Sequence, residues 1–178
     1  MLQQHIYSIP KTPRQVTLWV HPDGRVVGSV FLSFHTSKGT GVEGLCDALN
    51  SADPFLALQR TDREGLGFYN KRAIIRVEYE EEDPPEYEGS RMMRCRVSMM
   101  DGLIIEGSAQ YMLPPNRARL YDYLNLRDES FITLHLEDHH ICLVNKAHVV
   151  CVSYIDDQQE EESPCDLPEI LGPPTTGR

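Results

Sequence analysis

Slid against itself by 75 residues, the chain repeats: nine of the 35 positions from Leu45 to Tyr79 are identical to their counterparts. The pairs are Leu45/Leu120, Asp47/Asp122, Leu49/Leu124, Asn50/Asn125, Asp53/Asp128, Asn70/Asn145, Lys71/Lys146, Val77/Val152 and Tyr79/Tyr154. Average residue usage gives about two such matches by chance. Upstream, Asp23-Gly24 and Gly28-Ser29 correspond to Asp101-Gly102 and Gly107-Ser108 once a one-residue difference in length is allowed. A duplication constrains the fold more than composition does. Whatever one copy builds in about sixty residues, the other builds again.

Within a copy the pattern is that of short strands. Val16 to Val20 alternates like a half-buried strand, Pro22-Asp23-Gly24 is a turn, and Arg25 to Phe34 is a long β-rich run, which together predict a hairpin. A glycine-containing loop (Ser37 to Gly41) leads to a short helix in which Val42, Leu45 and Leu49 share a face and which ends near Asn50. Strands follow at Phe55 to Gln59, Leu66 to Tyr69 and Ala73 to Glu80, with turns around Asp62 to Gly65 and at Asn70-Lys71. The second copy gives strands at Cys95 to Met100, Leu103 to Met112, Phe131 to Leu136, Ile141 to Val144 and His148 to Tyr154, with a helix in Arg117 to Asn125.

Five short strands and one inserted helical turn are too few for a two-layer sandwich. A small barrel of the SH3-like or Sm-like sort is the economical solution, because closure removes exposed strand edges. The expected fold is therefore mainly β: two tandem five-stranded barrels, each with a short inserted helix. A unit of about sixty residues buries too little surface to be very stable alone, so the copies are expected to pack on each other or to assemble further.

Charge divides the chain in the same places. The net charge is -10, yet residues 1–79 carry nine Lys and Arg against seven Asp and Glu, and residues 91–154 carry seven of each. The excess acid lies in 80–90, with six acids and no base, and in 155–178, with seven acids and one base. The chain thus reads as an N-terminal arm (1–14), a first repeat (15–79), an acidic linker (80–90), a second repeat (91–154) and an acidic, proline-rich, disordered tail (155–178). Neither repeat has a basic stripe, so affinity for nucleic acid by phosphate neutralisation would be weak. No apolar run reaches the length of about eighteen residues that a membrane-spanning helix needs, and Met1 to Pro13 lacks the apolar core of a signal peptide. Cys46, Cys95, Cys142, Cys151 and Cys165 form an odd set without CxxC spacing, which suits free thiols in a reducing compartment. A cytoplasmic protein is expected, with no membrane partner.

The order of motifs resembles the Sm-like family of small barrels. Val16 to Gly28 and Val97 to Gly107, each with a DG turn and a following glycine, are similar to that family's opening hairpin. Asp47 with Leu49-Asn50, and Asp122 with Leu124-Asn125, resemble its middle motif. Leu66 to Val77 around Asn70-Lys71, and Ile141 to Val152 around Asn145-Lys146, resemble its closing strands. The likeness covers about 125 residues; the chain is also similar to an uncharacterised bacterial small-barrel domain, a likeness that implies no activity. Three departures stand out. The helical pattern lies between the second and third strands and not before the first, the closing turn is Asn-Lys and not Arg-Gly, and the Asp to Asn spacing is three. They bear on uridine-type RNA recognition and not on the barrel.

The doubled polar residues are the candidate binding set: Asn50, Asn70, Lys71, Asn125, Asn145 and Lys146. Each also has a plain structural role open to it. Asn ends helices in the left-handed conformation, Asp bonds nearby amides, and Asn suits tight hairpin turns. His135, Glu137, Asp138, His139 and His140 are the one dense group of metal-ligand types. Adjacent residues on a strand point to opposite faces, and the first copy has Arg60, Asp62, Arg63, Glu64 and Gly65 there, so a solvated loop is expected and no metal. No GxSxG, HExxH, P-loop or dinucleotide fingerprint is present. Cys142 and Cys151 fall in strands expected to be core, where thiols are inert. The chain therefore reads as a non-enzymatic scaffold or adaptor without a cofactor, binding a protein partner or itself. The alternative is an Sm-like RNA binder using the Asn/Lys loops on single-stranded RNA, and a small-ligand sensor in the groove between the barrels has no phosphate-binding loop behind it.

Overall fold

Alternation of apolar and polar residues drives most of the described residues into strands. The structure, a computed structural model, describes residues 11–33, 35–36, 39–40, 43–81, 90–114 and 119–155. Most of the expected arm and linker, all but the first residue of the tail, and Cys165 lie outside the described residues.

The first copy runs β1 (Lys11–Val20), β2 (Gly24–Ser33), the two-residue strands β3 (His35–Thr36) and β4 (Gly39–Thr40), α1 (Leu45–Asn50), β5 (Phe55–Arg60), β6 (Leu66–Asn70) and β7 (Ile74–Glu80). The second runs β8 (Arg91–Met99), β9 (Ile104–Tyr111), α2 (Leu120–Leu124), β10 (Phe131–His135), β11 (His140–Asn145) and β12 (Val149–Tyr154). A 3-10 turn, Lys71–Ala73 or Lys146–His148, joins the last two strands of each copy. The elements match the sequence reading to within a few residues. The exceptions are β1 and β8, which start early because Lys11 to Gln15 and Arg91 to Arg94 extend the hairpins along mostly exposed ladder positions, and β3 and β4, which form around the expected glycine-containing loop. Val42 and Arg117, read as parts of the two helices, lie outside the described residues.

In place of two separate barrels, the strands form one continuous ten-stranded antiparallel sheet, in the order β12-β8-β9-β10-β11-β7-β1-β2-β5-β6. The physical reason is a ladder between the copies. β11 of the second copy pairs with β7 of the first, from His140 opposite Glu80 to Val144 opposite Arg76. β3 and β4 pair separately.

Two cores lie along this sheet. The first gathers Val16, Leu18 and Val20 of β1, Val26, Val30 and Leu32 of β2, Leu45 and Leu49 of α1, and Leu56 and Leu58 of β5. The second gathers Cys95, Val97 and Met99 of β8, Ala109 and Tyr111 of β9, and Leu120 and Tyr123 of α2. The β10–β11 hairpin serves both. Phe131, Ile141 and Leu143 enter the first core, while Ile132, Leu134, Cys142 and Val144 enter the second. Because side chains alternate across a strand, a strand covered on both faces is apolar at every position, as Ile141 to Val144 is.

The duplication extends to irregularities. β7 bulges against β1 at Ile75, and β12 bulges against β8 at Val150. Gly28 and Gly107 sit where the second strand of each copy passes the third. A Cβ at Gly28 would run into the carbonyl oxygen of Gln59, and one at Gly107 would lie 2.9 Å from that of His135. Only glycine permits so close a passage.

Candidate functional site

The doubled lysines are held by the helices. Lys71 Nζ donates to the carbonyl oxygens of Ala48 (2.5 Å) and Ser51 (3.3 Å) and to Ser51 Oγ (2.9 Å) at the end of α1. Lys146 Nζ donates to the carbonyls of Leu126 (2.6 Å) and Leu124 (3.2 Å) at the end of α2. The last carbonyls of a helix have no partner within it and carry its negative dipole end, so an ammonium there satisfies both. Removal from water is the main cause that lowers the pKa of each lysine from its ordinary value.

Asn70 and Asn145 each fold back on the turn that follows. Their Oδ1 atoms accept from the backbone N–H of Arg72 (2.9 Å) and Ala147 (3.0 Å). Asn145 is buried, and its Nδ2 also donates across the junction between the copies, to the carbonyls of Ile74 (2.8 Å) and Lys71 (3.2 Å). Asn70 is exposed, and among the described residues its amide has no counterpart of those bonds. The helix-end asparagines divide in the same way. Asn50 grips the backbone of Phe131 on both sides, accepting from its N–H (2.8 Å) and donating to its carbonyl (3.1 Å). Asn125 is exposed and donates to Tyr121 of its own helix (2.7 Å).

The six candidates therefore form no single pocket. Asn50, Lys71 and Asn145 meet at the junction of the copies, while Asn70, Asn125 and Lys146 occupy the equivalent places at the free ends of the sheet. Arg76 strengthens the junction: its guanidinium lies 4.0 Å from the Trp19 ring centre, 2.7 Å from Glu78 and 3.5 Å from Asp101 of the second copy.

No protein-family model, curated protein or solved structure matches the chain. What its sites can do must come from their chemistry.

The histidine-rich segment is a tight turn. Asp138 and His139 take positive φ values of 56° and 61°, as the two central residues of a type I′ hairpin do. Among the described residues, no group of three or more His, Cys, Asp or Glu could hold a metal ion. The four described cysteines are free thiols. Burial pushes Cys142 up to about 12 and raises Cys46 and Cys95 as well, and a protonated thiol is a poor nucleophile. Cys151 departs from expectation: it is exposed, because β12 is an outer strand of the sheet and not a core one. A cleft of about 630 Å³ between the copies is lined by residues that include Cys46, Tyr79, Tyr111, Tyr123, Thr133 and His135. No helix among the described residues is long and apolar enough to cross a membrane.

Sequence reasoning missed the sheet's outer strands. Among the described residues β6 pairs with β5 alone and β12 with β8 alone. Both outer ends carry large exposed apolar side chains. Phe55 (53% exposed), Leu66 (46%) and Phe68 (68%) lie at one end, and Val150 (66%) and Tyr154 (58%) at the other. The available signal was the absence of charge, since neither Leu66–Asn70 nor Val149–Tyr154 contains a charged residue.

Proposed function

We propose that the chain is a non-enzymatic interaction scaffold, two Sm-like barrel units merged through one sheet, which binds protein through the outer strands β6 and β12. One observation carries this reading: among the described residues the outer strands have one strand neighbour each, so they offer a row of backbone groups without a ladder partner, flanked by exposed apolar side chains and no charge. Natural sheets usually blunt their edges with charge, proline or a covering segment, and strand addition is a common mode of protein recognition. The free thiols suit a reducing, cytoplasmic setting. RNA recognition through the Asn/Lys loops has less support, because both ammonium groups already face backbone carbonyls.

Affinity purification of the full chain from its own cells, compared with Phe68→Glu and Tyr154→Glu variants, tests the reading. A bound protein, whether another polypeptide or further copies of the chain, should be retained by the wild type and lost from at least one variant. Retention unaffected by either variant, or no bound protein at all, would overturn it.

A further inference from the structure

Resting on the scaffold reading, we propose that the partner is a second copy of this chain: β6 of one molecule pairs with β12 of the next. The contact repeats, head to tail, the junction that β11 and β7 make inside the molecule.

The duplication shows what each outer strand corresponds to. Asn70 opposite Phe55 matches Asn145 opposite Phe131, so β6 corresponds to β11 and β5 to β10. By the same repeat β12 corresponds to β7. Inside the molecule the fourth strand of copy two pairs with the fifth strand of copy one. The two outer strands are the remaining fourth and fifth strands, β6 and β12, and they bear the same relation.

Burial reinforces the correspondence. The three residues that the second copy inserts into the first core are Phe131 (1% exposed), Ile141 (2%) and Leu143 (0%). Their counterparts on the first copy are Phe55, Leu66 and Phe68, which are apolar but exposed. The receiving side behaves alike. Val77 is fully buried and Tyr79 packs against the first core, whereas Val152 is only half-buried and Tyr154 is exposed. Ile75, the bulged residue of β7, packs against the second core, and its counterpart Val150 is exposed. The apolar part of the junction is thus present twice and, among the described residues, covered once; its charged part is not repeated, since Cys151 and Ser153 stand where Arg76 and Glu78 do.

The polar groups fall into line. The internal register sets Ile141 opposite Tyr79 and Leu143 opposite Val77. Carried to the outer strands it sets Leu66 opposite Tyr154 and Phe68 opposite Val152 of the next molecule. Asn125, matching Asn50, then reaches the backbone of Phe55, and Asn70, matching Asn145, reaches the carbonyls of Lys146 and Val149. Since the two surfaces differ, the contact is heterologous and continues from molecule to molecule, closing into a ring or running on as a fibre according to the rotation at each step.

The test uses the full chain and two variants whose changes fall on exposed positions: Leu66→Glu with Phe68→Glu on β6, and Val150→Glu with Tyr154→Glu on β12. Circular dichroism melts confirm that both fold. In sedimentation velocity the wild type should form assemblies of more than one chain, and each variant alone should have the mass of one chain. An equimolar mixture should give a dimer with one of each, because each variant keeps the edge that the other lacks. Assembly of either variant alone would overturn head-to-tail pairing in favour of a symmetric contact, and the absence of a mixed dimer would overturn it outright. A monomeric wild type would overturn the proposal, as would assembly that appears only when residues 156–178 are removed. In those cases the scaffold reading survives if another polypeptide is held by the wild type and lost from the Phe68→Glu or Tyr154→Glu variant, and falls if none is.

Discussion

Lys71 and Lys146 stand in turns that the sequence leaves open to partner binding or to a plain structural role, and in the structure their ammonium groups sit at helix ends. Replacing Lys71 by Met keeps the apolar stem but leaves the carbonyls of Ala48 and Ser51 without their donor. The expected cost is about 1–3 kcal/mol, read as a lower urea midpoint at unchanged slope. His135 supplies a pH effect. Burial lowers its pKa below the ordinary histidine value of about 6.5. Near and below that value the unfolded chain therefore binds a proton that the folded chain does not. The stability it contributes is fully present above 6.5 and is lost as pH falls from there through the depressed folded value. Between about pH 7.5 and about pH 5.5 the wild type should lose more unfolding free energy than His135→Gln, and equal losses would contradict the assignment.

The element that shapes the molecule is the β10–β11 hairpin, whose two faces belong to different cores. Its turn places Asp138 and His139 at positive φ, a conformation that Asn and Gly adopt at less cost. Asp138→Asn with His139→Gly should raise the thermal midpoint by a few degrees, a gain of about 0.5–1 kcal/mol, without changing the fold. Strands of this kind were legible from alternation alone, as at Val16 to Val20. The ladder between β7 and β11 was not, since nothing local says which distant strand supplies a partner. Leu66–Asn70 and His140–Asn145 end in the same Asn-Lys turn, yet one is an outer strand and the other is buried on both faces. Cys151 was misjudged for that reason. The constant offset of 75 also concealed a one-residue shift: in β5 and β10 the structural offset is 76, which pairs Phe55 with Phe131 and Leu58 with Leu134. The doubled Asn and Lys residues were found as a set, but their division between a made junction and a free one depends on which copy's strand is covered.

At the scale of the molecule, the shared hairpin decides whether two repeats behave as two domains or one. Phe131, Ile141 and Leu143 leave the first core if the second copy unfolds, and each such side chain contributes about 1.5–3 kcal/mol of burial. Their sum is comparable with the total stability of about 5–15 kcal/mol of an ordinary domain, so the first copy cannot remain folded alone. The molecule supplies its own reporter, because its one tryptophan, Trp19, lies in β1 of the first copy. Leu134→Ala removes a fully buried side chain from the second core only, at an expected cost of about 2–5 kcal/mol. In a background carrying Leu66→Glu and Phe68→Glu, which keeps the chain monomeric, Trp19 fluorescence and far-ultraviolet circular dichroism should give coincident urea transitions. Both should move down together on Leu134→Ala. Two independent barrels would instead leave the Trp19 midpoint unmoved while the dichroism split into two steps, and that outcome would refute a single cooperative sheet.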